Sequence, residues 1–202
     1  MSLKDAKINF LVDMATDLFM TRSISEVTIK DIAVAAQVGE ATIYRYFGSK
    51  QNIVVQSAMK IQGIVSTDFF NLEKGHNGFE KLSVFYNSYY EIYIKHPNFY
   101  KFLNEFDAYV SVEDSSITNP YETAIDAYKA VYMEAYELGL KDGSIKKQDN
   151  IEMFYFSTTH ALLELAKKLA FKKAVLNQDT RIEKTSELQC LINIILESLN
   201  NF

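Results

Sequence analysis

Apolar side chains recur at intervals of three and four along almost the whole chain, and only two Pro and seven Gly interrupt them. That spacing lays one apolar stripe along each of a series of α-helices, and no stretch shows the period of two that a half-buried strand requires. The sequence therefore predicts an all-α protein. Its 202 residues, 48% of them apolar, suit one compact domain or two small ones with ample core. The balance of 21 basic against 26 acidic residues argues against a protein that coats nucleic acid non-specifically, yet leaves room for a local basic patch. The single cysteine, Cys190, cannot close an internal disulfide, and between apolar neighbours it reads as a buried, unreactive thiol. No basic-then-apolar leader and no uncharged run of membrane-spanning length is seen, so a cytoplasmic protein without membrane contact is expected.

Residues 5–21 form the first predicted helix, with Ile8, Leu11, Val12, Ala15, Leu18 and Phe19 on its buried stripe. After the break "TRSIS", Thr28 can cap a short helix whose Ile29, Ile32, Ala33 and Ala36 face inward, and Asp31 stands where a capping-box carboxylate belongs. Gln37, Val38 and Gly39 make a turn, Thr42 to Phe47 a second short helix, and Gly48 its stop. Ser49 can cap a longer helix, about 49–66, carrying Ile53, Val54, Ala58, Ile61 and Val65. Beyond it the texture changes: the segment from Phe69 to Tyr136 holds 17 of the 27 aromatic residues, with "NLEKGHNG" and "SVEDSSITNP" reading as loops. Three helical patterns cross it, and the last of them carries Ile125, Tyr128, Val131, Tyr132, Ala135 and Leu138. Two more helices are predicted at about 150–173 and 181–200. The former is apolar on two sides, with Ile151, Phe154, Leu162, Leu165 and Leu169 on one and Met153, Phe156, His160 and Leu163 on the other, and so needs two partners.

The stretch "TIKDIAVAAQVGEATIYRYFGSK", residues 28–50, has the layout of a helix-turn-helix. Such a unit needs small residues where its helices cross, here Ala33, Ala35, Ala36 and Gly39, and a second helix offering short or polar side chains to base edges. Glu40, Ala41, Thr42 and Arg45 meet that second condition, while Thr28, Tyr44, Tyr46 and Lys50 are placed to reach phosphate oxygens. Lys30 and Gln37 complete the candidate set. Ile43 and Phe47 read as core. Tyr46 reads equally as a packing residue.

"TIKDIAVAAQV" followed by "TIYRYFGSK" resembles, in order, spacing and residue type, the N-terminal motif of the tetracycline-repressor (TetR) family, and the resemblance covers residues 8–55. It implies an N-terminal three-helix helix-turn-helix domain, residues 1–50, joined through the connecting helix to a larger C-terminal helical domain, 51–202, for ligand binding and dimerisation. Departures from the family pattern are Gly39 in place of a capping Ser, Glu40 where a basic residue is common, Gln37 where the turn usually has Gly, and Ser23 where the first helix usually ends in Gly. Glu40 has two readings, an acceptor for a cytosine amino group or a carboxylate favourably placed at a helix N-terminus.

The functional expectation is a sequence-specific regulator of transcription that binds a pseudo-palindromic double-stranded operator as a homodimer and is released by a small, partly apolar effector. A ligand-independent or activating regulator of the same fold is the alternative. Candidate effector-binding residues are Phe85, Tyr89, Tyr93, Phe102, Phe106, Tyr128, Tyr132 and His160, because a Tyr-rich stripe favours a cavity with polar points on its wall. Candidate dimer residues are Met153, Phe156 and Leu163, with Leu188, Leu191, Ile192, Ile195 and Leu199 from the clean stripe of the last helix. His76, His96 and His160 lie far apart, and neither a nucleophile elbow, a phosphate-binding Gly loop nor a metal-ligand pair is present, so neither catalysis nor a cofactor or metal is expected. A helical adaptor for protein alone would not need residues 28–50.

Overall fold

The computed structural model describes residues 2–110, 115–170 and 183–201, with 115–120 and 124 described in their backbone only. Its helices are α1 (Leu3–Thr21), α2 (Ile29–Ala35), α3 (Glu40–Phe47), α4 (Lys50–Phe69), α5 (Gly78–Lys95), α6 (Pro97–Tyr109), α7 (Ser115–Asp142), α8 (Ile151–Ala170) and α9 (Lys184–Leu199), with a 3-10 turn at Leu72–Lys74. Among the described residues the only extended pairing is one isolated bridge, Ile145 to Asn200. The predicted ends at 171–173 and 181–182 lie outside the described residues, as do positions 111–114 of the stretch read as a loop. Its remainder is not a loop, because α7 already begins at Ser115. Ser, Thr and Asn clusters favour turns only by competing locally for the backbone, and the amphipathic run that follows extends the helix back through them.

The chain divides into two compact units, the first comprising Met1–Ile64 with Lys101–Ala124 and the second Val65–Tyr100 with Ile125–Phe202. In the first, α1 starts from a capping box in which the Asp5 amide donates to Ser2 Oγ at 3.1 Å and the Ser2 amide to Asp5 Oδ2 at 3.0 Å. A second capping box opens α2: the Asp31 amide donates to Thr28 Oγ1 at 3.1 Å and the Thr28 amide to Asp31 Oδ2 at 2.8 Å. Leu11, Ala15, Ile24, Val27, Ile32, Ile43, Ile53 and Val54 fill the core beneath these helices. Ser49 accepts from the Asn52 amide at 3.2 Å and so caps α4.

In the second unit α5 packs on α8 and α9, and α8 on α9. Gly78, at the start of α5, lies against the backbone of α7: a Cβ there would come within 2.1 Å of the Gly139 amide nitrogen. Its own amide donates to Asp142 Oδ2 at 2.9 Å. Leu188, Ile192, Ile195 and Leu199 of α9 are all buried within the single chain, as are Leu162 and Leu169 of α8. Of the stripe expected on α7, Tyr132 and Ala135 are buried, whereas Ile125 and Val131 are exposed.

Candidate functional site

The turn between α2 and α3 is held open by backbone geometry. Gln37 takes a left-handed conformation, φ 53°, and the Val38 amide returns to the Ala33 carbonyl at 2.9 Å. A left-handed residue usually lacks a Cβ, because the Cβ crowds the following carbonyl. Gln37 thus carries strain in the turn that sets the angle of α3. Gly48 supplies the left-handed stop of α3 at φ 72° without that cost.

Ile43 and Phe47 are buried, fixing which side of α3 faces outward. On that outward side Glu40, Ala41, Tyr44 and Arg45 are exposed, while Thr42 and Tyr46 are half-buried. The Arg45 guanidinium carbon stands 5.3 Å from the Tyr46 ring centroid, a cation-π contact that holds the charge along the helix. Thr28 and Lys30, at the start of α2, and Gln37, in the turn, are exposed. Thr28 is committed to its capping box, and Asp31 is held below the usual carboxylate range first by the Thr28 amide, then by the Thr28 hydroxyl. The Thr42 amide donates to the Gly39 carbonyl at 2.9 Å, and Gly39 makes no side-chain cap bond.

Lys50 is engaged within its own unit. Its Nζ donates to the Ile24 carbonyl and lies 5.1 Å from the centroid of Tyr109 on α6, and burial pulls its pKa down. The same Ile24 gives its amide proton to Glu105 Oε2, also on α6, at 2.6 Å. Both polar groups of this fully buried residue, in the bend between α1 and α2, are therefore satisfied by side chains of α4 and α6. Glu105 had no periodic or motif signal at this position, since its partner lies 81 residues away in sequence.

Tyr86, Tyr89, Tyr128, Tyr132 and Tyr155 of the second unit form one aromatic cluster with Phe70 and Phe85. Phe85 meets Tyr86, Tyr89, Tyr132 and Tyr155 at centroid distances between 5.1 and 6.2 Å, and Phe70 meets Phe85, Tyr89 and Tyr128 at 5.3, 5.8 and 4.8 Å. Within it the Tyr86 hydroxyl shares hydrogen bonds with Tyr132 at 3.0 Å and Thr158 at 2.8 Å. Burial pushes Tyr86 up to about 12, the two hydroxyl contacts opposing it, and raises Tyr132 as well. Tyr93 donates to the Leu169 carbonyl at 3.0 Å and Tyr100 to the Tyr89 carbonyl at 2.9 Å. Of the candidate effector residues, Phe85, Tyr89, Tyr128 and Tyr132 are brought together here. Phe102 and Phe106 belong instead to the first unit, where their rings stack at 6.0 Å and Phe106 meets Tyr121 at 5.0 Å. His160 is exposed on α8 beside Phe156, 5.7 Å away, because it shares the outer of the two apolar stripes. Phe70 and Tyr155, members of the cluster, escaped the sequence reading: Phe70 follows the end of α4, and Tyr155 falls between the stripes of α8.

That outer stripe leaves Met153 64% and Phe156 40% exposed, with Leu163 half-buried. Leu188, Ile192, Ile195 and Leu199 are already buried in their own chain, so they have no free surface to place against a partner. On α9 the outward residues are Cys190, Asn193, Ile194 and Glu197, with Leu191 half-buried. Cys190 is thus exposed, contrary to the reading as an interior thiol, because it lies across the helix from the buried stripe. Among the described residues no group of three His, Cys, Asp or Glu side chains comes together to hold a metal ion, and no helix is long and apolar enough to cross a membrane.

A short capped helix, a tight turn and a second helix with a polar outer face that ends in Arg45 define a helix-turn-helix DNA-binding protein. The sequence profile of bacterial regulatory proteins of the tetR family matches residues 11–56. It is 25% identical over 174 residues to the HTH-type transcriptional repressor KstR2 of Rhodococcus jostii, covering 75% of this chain and 74% of the relative. Its fold matches the ketosteroid transcriptional regulator KstR2 of Mycobacterium tuberculosis with a TM-score of 0.66 at 13% identity, over 96% of this chain and 95% of that one. It also matches the fatty acid degradation regulator FadR of Bacillus halodurans, with a TM-score of 0.68 at 15% identity over 94% of both chains. A TetR-family regulator of Agrobacterium tumefaciens matches with a TM-score of 0.73 at 11% identity, over 98% of this chain and 99% of the other.

Proposed function

We propose that the protein is a homodimeric repressor that reads a pseudo-palindromic operator with paired α3 helices and is released by a small, largely apolar effector. The observation that carries the DNA reading is the exposed row Glu40, Ala41, Tyr44 and Arg45 on a helix whose opposite side is locked by Ile43 and Phe47. In this reading Arg45, Thr42 and Glu40 approach base edges, while Thr28, Lys30, Gln37, Tyr44 and Tyr46 serve phosphates. Lys50 acts mainly by holding the Ile24 bend. The Rhodococcus relative is named a repressor, which favours repression over activation.

Residues 1–50 are proposed as the DNA-binding domain and 51–202 as the effector and dimerisation domain, with α4 the element common to both. Dimerisation rests on the outer stripe of α8, Met153, Phe156 and Leu163, together with Leu191 of α9. Exposed apolar side chains of this size, gathered on one helix face, lose unfavourable contact with water when paired about a two-fold axis. A cytoplasmic location without catalysis follows from the same role. The effector would weaken operator binding by a coupling free energy, typically about 1 to 3 kcal/mol, and the operator would weaken effector binding equally. A gel-shift titration on genomic fragments, including DNA flanking its own gene, tests the proposal. A retarded complex that survives excess unrelated DNA supports it; retardation abolished by unrelated DNA at equal mass contradicts it.

A further inference from the structure

Three helices of the first unit carry a carboxylate in their first turn, and only two of them use it locally. Asp5 and Asp31 close the capping boxes of α1 and α2. Glu40 does not. It is the first residue of α3, two places short of the position that a capping box requires, and among the described residues its carboxylate has neither a hydrogen-bond nor an ion-pair partner. It is exposed, and a Cβ placed on Gly39 just before it would meet nothing beyond its chain neighbours within 4 Å, so the entrance to α3 is open.

The charges nearby make an unpaired acid here harder to explain. On the exposed side of α2 and α3 the cations are Lys30 and Arg45. Arg22 is tied to Asp31, 3.4 Å away, and to the Glu26 carbonyl, while Lys50 donates to the Ile24 carbonyl. Attraction to phosphates is sequence-independent, and a carboxylate among so few cations works against it. A helix N-terminus favours an exposed carboxylate only weakly, and salt screens that effect.

A base edge offers a better partner. In the major groove cytosine presents the N4 amino donor, guanine presents two acceptors, thymine an acceptor and a methyl group, and adenine an amino group beside the N7 acceptor. A carboxylate only accepts, so cytosine matches it, whereas an acceptor on each of the other three bases opposes it. Ala41, short and exposed, follows Glu40 and lets this end of α3 come close to the bases.

We infer that Glu40 selects a cytosine in each operator half-site by accepting a hydrogen bond from its N4 amino group. The inference rests on the proposed operator reading and names a base that the reading leaves open. Glu40→Gln changes the code in a defined way, because an amide carries both a donor and an acceptor and so fits N7 and N6 of adenine.

The test uses the full-length protein and the genomic fragment it retards most strongly, with each base pair of one half-site replaced in turn by the other three. Parent, Glu40→Ala and Glu40→Gln proteins are compared by gel-shift titration, each checked for native helix content by circular dichroism. The parent should lose about 5- to 150-fold in affinity when one particular C·G pair is replaced. Glu40→Ala should discriminate at that pair by no more than about twofold and keep the parent's ranking at every other pair, since only the one base contact is gone. Glu40→Gln should bind A·T there at least as well as C·G. A Glu40→Ala protein weakened equally on every fragment would overturn the base contact and leave Glu40 a helix-start residue. Parental discrimination retained at every pair by Glu40→Ala, or A·T still excluded by Glu40→Gln, would overturn it as well. A parent that retards no fragment in preference to unrelated DNA removes the operator reading and this inference with it, whereas a selective parent whose variants behave as it does removes the Glu40 contact alone.

Discussion

Removing the Glu105 carboxylate should loosen the bend that carries the helix-turn-helix. The Ile24 amide is fully buried and donates to Glu105 Oε2 at 2.6 Å, a charge-assisted bond. Such bonds contribute about 1.5 to 3 kcal/mol, and leaving a buried amide unpaired costs about 1 to 3 kcal/mol. Glu105 is itself half-buried, so water partly replaces the lost acceptor and the lower part of that range applies, about 1 to 2 kcal/mol for Glu105→Ala. Glu105→Gln keeps an acceptor of the same reach without its charge and should lose about half as much. Urea unfolding at fixed protein concentration reads both values from the midpoint, provided the slope is unchanged. Operator affinity should fall in the same order, because the bend sets where α2 begins. Equal losses for the Gln and Ala variants would refute a role for the charge. An Ala variant within about 0.3 kcal/mol of the parent would refute the bond as a support of the bend.

Gln37→Gly should stabilise the first unit by about 0.5 to 1 kcal/mol in urea unfolding, because relief of left-handed strain, about 1 to 2 kcal/mol, exceeds the added chain entropy of Gly. Lys50→Met should lower the unfolding midpoint and reduce operator affinity almost equally for all sequences, as gel shifts on matched and mutated operators would report. Met153→Glu with Phe156→Glu should yield monomers in analytical ultracentrifugation, with operator binding lost. In acid, the folded pKa of Asp31 lies below its ordinary 3.8, so the stability it contributes is present above that value and is lost as pH falls below it. In alkali the sign reverses: Tyr86 and Tyr155 are raised from 10.0 to about 12, so their contribution is complete below pH 10 and is lost between 10 and about 12. Circular dichroism and phenolate absorbance followed together across both limits check these two windows.

What the sequence made legible was local. Thr28 with Asp31, Gly48 and Ser49 are caps whose partners lie within five residues, and α2, the end of α3 and the start of α4 follow from them, whereas α1 opens on a Ser2 cap the reading lacked and α3 starts at Glu40, two residues before the expected Thr42. The outward row Glu40, Ala41, Tyr44 and Arg45 was legible for the same reason, since the burial of Ile43 and Phe47 settles the orientation of so short a helix. Long-range pairings were not. Ile24 meets Glu105 and Lys50, and no periodicity marks a buried bend that borrows its hydrogen bonds from two distant helices. The aromatic stripes showed that side chains would be buried, but not in which unit, so Phe102 and Phe106 were grouped with Tyr132 although they pack apart from it. The stripe on α9 looked like a dimer seam because a stripe by itself does not say whether its partner is in the same chain. Here α5 and α8 already cover it.

The central claim, that paired α3 helices read a two-fold DNA site, is tested most directly by footprinting the dimer on the fragment it retards most strongly. The account predicts two protected half-sites related by approximate inverted symmetry, their centres about one helical turn, roughly 34 to 36 Å, apart or slightly more, with Arg45→Ala erasing protection in both. A single protected block without internal symmetry, or protection that Arg45→Ala leaves intact, would contradict it.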